Sequence, residues 1–332
     1  MIVRLLACLL LVPSALAAQT GTLVVVNQKQ HAVDLVDPTT RKVLAAVSVG
    51  VNGHEVALGK GGRMAYVPIY SNTGVGKPGT DGQMIDVIDL AKTKVVKEID
   101  LGHPVRPHKP VFGPDGLLYV TAELDQAIDV VDVDKGVVVG QVPTGQPQSH
   151  IMGLSADGNR GYTANVGAGS VSVLDIRERK LVKVIPLTKR VQRIAVSNDG
   201  QWVFTSDSDQ PRVAAISTRT NALVQWIAVE GIPYVTQSTP DGRYLLVAAA
   251  KDEKGVLNVV DLKTMKVVRT IATAATVVSF LVHDGRVYGS CGANGAIEVL
   301  DVRAAEPGKW ALETPIQLAP GVDAMAWTMV AR

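Results

Sequence analysis

Aromatic residues are scarce: Phe, Trp and Tyr together make up 4 % of 332 residues. Charge is scarce too, at 19 % charged residues with a formal net charge of +2. That balance supplies no global electrostatic drive toward nucleic acid or anionic lipid. Cysteine occurs twice, as Cys8 and Cys291, so loss of Cys8 with a leader would leave no partner for an internal disulfide. The apolar run over residues 5–12 is too short to span a bilayer. No Cys-x-x-Cys-His is present for covalent haem attachment, and no Gly-x-Ser-x-Gly nucleophile elbow. The segment GVGKPGTDG (74–82) has the glycines of a phosphate loop but lacks the Gly-Lys-Ser/Thr ending and a following helix. Apolar residues at helical spacing over ten or more positions are missing as well.

What is abundant is valine, which occurs 53 times. A β-branched chain with 31 Gly and 17 Pro reads as many short strands joined by turns. The first 17 residues read separately. Arg4 supplies a positive start, residues 5–12 an apolar core, and Ala15-Leu16-Ala17 a small-x-small cleavage site. Cys8 comes too early to be a lipid-anchor cysteine, which should follow the apolar core. The expectation is a leader over 1–17, cleavage near Ala17, and a mature domain over 18–332 that is periplasmic or secreted, without a membrane anchor.

An internal repeat decides the architecture. Apolar strands ending in an acid recur at Asp37, Asp89, Asp132, Asp175, Asp261 and Asp301, with Ser217 in the seventh copy. Successive spacings are 52, 43, 43, 42, 44 and 40 residues. In phase with them run Asp-Gly turns with Asp at 115, 157, 199, 241 and 284, and GKGG (59–62) stands in the matching place ahead of these. Each unit reads as four strands, and seven units predict an all-β, seven-bladed β-propeller. The segment from Pro320 aligns with first-strand sequences, while the first unit begins directly at Leu23 without one. The C-terminal strand is therefore expected to pair into the first blade and close the ring.

PDG turns, YVTA (119–122), YTAN (162–165) and strands such as SVLD resemble the YVTN-type β-propeller repeat family over nearly the whole mature chain. The resemblance implies the fold. It leaves function open, because propellers host binding proteins, lactonases and redox enzymes alike. The tryptophan-bearing repeats of eight-bladed quinoprotein dehydrogenases are missing, and three channel histidines are too few for a multi-copper cluster.

The repeat-end acids read as turn residues that accept backbone N–H groups. The histidines carry more information. His108 and His150 lie seven residues before Asp115 and Asp157, and His54 lies seven before Gly61. The same place holds Gln192, Tyr234, Val277 and Asp323 in the remaining blades. These positions start the innermost strands, at one mouth of the central channel. Glu123, Asn165 and Asp207, at the ends of second strands, reach that face too. Such a set suits a polar ligand or a divalent metal held by His54, His108 and His150. Equally, imidazoles recurring with the repeat can simply bond the neighbouring blade. Blade 2 carries about ten extra residues in SNTGVGKPGTDG (71–82), and GHPVRPHKP (102–110) brings Arg106 as an anion contact and Lys109 beside His108. Irregular loops on one face of a regular scaffold are common binding elements.

Lys183, Lys189, Arg190 and Arg193 form a basic cluster that reads as a solvated edge before it reads as a DNA contact. Cys291 is expected to be a buried, inert thiol. The functional expectation is a monomeric module that binds a protein or small molecule at the channel mouth. The alternatives are a lactonase-like hydrolase with a His/carboxylate or metal site, and an accessory protein of a periplasmic quinone- or metal-linked oxidation system.

Overall fold

The apolar runs are continuous because both faces of each strand are covered. Along Thr22–Asn27, Val24 and Val26 pack with Ala65, Val67 and Ile88, whereas Leu23 and Val25 pack with Tyr288, Ile297 and Val299. Alternate side chains of one strand thus enter two different cores, one on each side of the sheet. Burying a valine is worth about 1.5–3 kcal/mol, so this two-sided arrangement rewards valine at successive positions.

The computed structural model describes residues 21–330. The expected leader, Cys8 and the cleavage site near Ala17 lie outside the described residues. Seven antiparallel sheets follow one another along the chain, and the first strands of neighbouring sheets touch all the way round. This is the seven-bladed β-propeller. Among the described residues the helical element is a single 3-10 turn, Pro307–Lys309. Blade 4 shows the unit plainly, as Ser149–Leu154, Arg160–Asn165, Ser170–Asp175 and Lys180–Pro186. The Asp-Gly turns join first to second strands, with Gly116, Gly158, Gly200, Gly242 and Gly285 all at positive φ.

The fourth strands are sheet edges and are mostly exposed, and in blades 1 to 6 each buries a single residue such as Val47, Ile99 or Ile185. Lys42, Lys94, Lys180 and Lys266 begin four of them, opposite Asp37, Asp89, Asp175 and Asp261. Lysine on an edge discourages pairing with other chains. The repeat-end acids do hold the turns: Asp37 accepts from the Thr39 and Thr40 amides, Asp261 from Lys263 and Thr264, and Asp175 from Glu178.

The ring closes as expected. Val322–Thr328 lies antiparallel to Thr22–Asn27, with Leu23 opposite Trp327 and Val25 opposite Met325, and becomes the innermost strand of blade 1. Thr328 also donates to the Gly62 carbonyl at 2.8 Å, tying the closing strand to blade 2.

Candidate functional site

The innermost strands begin irregularly. Pairing with the second strand slips between Pro107 and Pro110, between Ser149 and Ile151, and between Val191 and Ile194. Such bulges interrupt strict alternation, so two successive side chains can leave the ladder together. The threonine of the repeat motif holds these bulges. Thr121 of YVTA accepts from the Lys109 amide and donates to the His150 carbonyl, and Thr205 donates to the carbonyls of Gln192 and Arg193.

The structure brings the three histidines together. The His108 ring lies 3.6 Å from that of His150 and 4.5 Å from that of His54, centroid to centroid. Tyr70 packs against all three at 5.0–5.9 Å. Its hydroxyl donates to Glu123 at 2.6 Å, and His150 Nδ1 lies 3.3 Å from the same carboxylate oxygen. On the other side, His54 Nε2 lies 4.0 Å from Asp323 of the closing strand. His108 is fully buried, yet neither of its ring nitrogens has a hydrogen-bond partner, and His54 Nδ1 is buried and unpartnered too.

Beside the histidines runs a chain of buried ion pairs across the channel. Lys109 reaches Glu55 at 2.8 Å, Glu55 meets Arg193 at 2.5 Å, and Arg193 meets Asp323 at 3.0 Å. Gln28 donates a further hydrogen bond to Asp323, and the Arg193 guanidinium lies 5.7 Å from the Tyr234 ring centre. Burial would raise the Glu55 carboxyl, but the charges of Lys109 and Arg193 outweigh that and hold it low. For Asp323 burial wins against the pull of Arg193 and raises it above the ordinary carboxylate range.

The blade-2 insertion covers part of this mouth. Arg106, 4 % exposed and at positive φ, holds it down by bonds to Asp81 at 2.5 Å and to the Lys77 carbonyl at 2.6 Å. The same guanidinium sits 3.8 Å from Glu123 and 5.8 Å from the Tyr70 ring centre. Arg106 therefore links the insertion to the histidine cluster. What remains open is a cavity of about 530 Å³ lined by His54, Tyr234 and Asp323 with Lys29, Asn72 and Thr73.

Two of the residues expected on this face spend their polar groups within their own blades. Asn165 bonds Ser149, Ser170 and Ser172, and Asp207 pairs with Arg212 at 2.9 Å and accepts from the Asp209 amide. The basic cluster needs correction. Lys183, Lys189 and Arg190 are exposed, but Arg193 is 7 % exposed and turns into the channel, because the bulge between Val191 and Ile194 reverses its face. Glu55 and Tyr70 escaped the sequence reading. Glu55 directly follows a histidine at the repeat position, which is a usable signal once the bulge is known, whereas Tyr70 sits in an ordinary apolar strand and gives none. Cys291 is buried, and burial pushes its thiol up to about 12.

The neutral histidines make stability depend on pH. Burial first, and the neighbouring imidazole second, hold His54 down at about 3 and His108 well below its ordinary value. Histidine in the unfolded chain titrates near ~6.5. Below that pH the unfolded state binds protons that the folded state refuses, so stability is full above it and falls on acidification. Asp323, raised by burial to about 7, and Asp129, raised by burial to about 6, act in the opposite sense, so each ring's share is read by difference from its variant. In urea titrations of chelator-treated protein, each ring is expected to lower the unfolding free energy by up to about 1.4 kcal/mol per pH unit between about pH 6.5 and 4.5. His108→Phe should flatten that slope, and an unchanged slope would show that the ring titrates in the folded state.

No family model matches the sequence, so the YVTN-type repeat stands as a resemblance. A curated relative, Antigen Lp49 of Leptospira interrogans, is 22 % identical over 141 residues, 38 % of this chain, and the match spans 31 % of that protein's length. Among solved structures, Kuenenia stuttgartiensis hydrazine synthase is similar with a TM-score of 0.66 and 15 % identity, over 82 % of this chain and 88 % of that one. The dihydro-heme d1 dehydrogenase NirN, solved in complex with DHE, gives a TM-score of 0.64 at 14 % identity over 96 % of this chain and 77 % of that one. At such identities the likeness establishes the shared propeller fold alone.

Proposed function

We propose that this chain is an exported, non-catalytic binding module that takes up a small polar molecule in the channel mouth. The cavity beside His54, Tyr234 and Asp323 carries the proposal. Its volume, about 530 Å³, lies within the range of small-molecule sites, roughly 300–1,000 Å³. Lys29 offers a positive charge and Asp323 a buried carboxyl on its walls, with the blade-2 insertion at its rim. The solved complex of the NirN propeller with DHE is a precedent for a small molecule bound by a protein of this architecture.

The test is ligand-observed NMR with a panel of polar fragments: carboxylates, amines and polyols. Fragments are expected to bind the wild type and to weaken at least tenfold in Lys29→Ala and Tyr234→Ala, neither of which touches the histidine cluster's unpartnered nitrogens. Fragments that bind both variants as well as the wild type, or a panel without binders, would overturn the reading.

A further inference from the structure

His108 presents a problem of its own. A neutral imidazole carries one N–H donor and one lone pair, and here both are enclosed in protein without a partner. Leaving such groups unsatisfied costs about 1–3 kcal/mol each, and a buried orphan of this kind calls for an ion or a water. The flanking rings point to which. His150 Nδ1 is engaged by Glu123, so its Nε2 is the nitrogen left for another partner. His54 Nε2 faces Asp323, and its other nitrogen, Nδ1, is the buried unpartnered one. In His150 a carboxylate holds one ring nitrogen and leaves the other free, whereas Asp323 stands 4.0 Å from His54, beyond hydrogen-bond reach. Carboxylate–imidazole pairs of this kind orient histidine ligands at metal centres and raise their basicity.

We propose that His54, His108 and His150 form a site for one transition-metal ion of the zinc or copper class, with Glu123 as a positioning residue. Neutral imidazole suits these ions, and the cluster offers no thiolate to draw a softer one. Among the described residues no three such side chains yet converge on a common point. The imidazoles are in ring-to-ring contact instead, and coordination at ~2.0–2.1 Å per nitrogen requires them to part. The ion enters from the side of His54, the one histidine of the three that lines the mouth cavity.

The test uses tag-free, chelator-stripped full chain with Cu²⁺ or Zn²⁺ alone as probe. Equilibrium dialysis is expected to give one ion per chain, and the Cu²⁺ EPR spectrum to show splitting from several imidazole nitrogens. His108→Phe, which keeps a ring in the chamber, should weaken binding at least ~100-fold. Glu123→Gln should weaken it about 10–100-fold with the nitrogen splitting retained, as expected for a positioning residue. His103→Ala, on an exposed histidine, should change nothing. Should His108→Phe fail to fold, ¹⁵N shifts of the wild-type histidine rings on adding Zn²⁺ decide the matter. Binding that survives His108→Phe, or histidine rings that do not shift, would overturn the site and leave water as the partner of these nitrogens. The proposal does not rest on the mouth cavity reading, since Lys29→Ala and Tyr234→Ala disable that one while sparing the three rings.

Discussion

Replacing Arg193 by alanine is expected to destabilise the protein by about 3–5 kcal/mol, the usual result of leaving buried partner charges uncompensated. Arg193 is 7 % exposed and reaches from blade 5 to two carboxylates of the adjacent blades 1 and 2, Asp323 of the closing strand and Glu55. Without it, Glu55 keeps Lys109, while Asp323 keeps only the neutral amide of Gln28. Arg193→Lys should recover only part of the loss, because a single ammonium cannot offer two carboxylates the planar fork of a guanidinium. A double-mutant cycle makes the argument sharper: Arg193→Ala with Asp323→Ala should cost clearly less than the sum of the single changes. Chemical denaturation measures all of these. A loss below about 1 kcal/mol for Arg193→Ala would mean that water reaches the pair and that the channel is wetter than its burial implies.

Deleting residues 319–332 should have a larger effect still. The deletion removes Val322–Thr328 and leaves one edge of Thr22–Asn27 without partners, while the other stays paired with Ala32–Asp37. Loss of the buried Val322 and Met325 also uncovers the seam in which Leu23 and Val25 meet Tyr288, Ile297 and Val299. An open sheet edge flanked by apolar surface is a template for association. The truncated chain is therefore expected to lose its single cooperative thermal transition and to aggregate in a concentration-dependent way, followed by calorimetry and light scattering. A melt indistinguishable from that of the full chain would rule out a structural role for the closing strand.

The fold was legible because it is periodic. Asp-Gly turns and acid-ended strands mark the blade boundaries, and the sequence from Pro320 lines up with the first strands that it replaces. The same periodicity placed His54, His108 and His150 on equivalent positions, where ring contacts of 3.6 and 4.5 Å now link them. It failed where the backbone departs from period two. At the bulged start of the innermost strands, Lys109 and Arg193 turn inward one residue after His108 and Gln192, so a reading by alternation sends Arg193 to a surface patch. Asn165 and Asp207 show the opposite failure. Their height on the blade was right, but hydrogen bonding is local, and serines or an arginine a few residues away captured them first. Tyr70 was invisible because a tyrosine in an apolar strand looks like core until its hydroxyl is seen against Glu123.

The placement of Asp323 has a kinetic consequence. Its partners are Gln28 and Arg193, which lie 295 and 130 residues away in the chain. Contacts of such separation form late, after the entropy of closing long loops has been met. A chain that emerges N-terminus first can order its middle blades while blade 1 still lacks an inner strand and the channel still lacks Asp323. The mouth is thus assembled in the final step, and its competence reports that the circle is finished. Moving the chain ends to the turn of another blade, with the old ends joined, would put Asp323 on an early-formed hairpin and uncouple the order of assembly from the site itself.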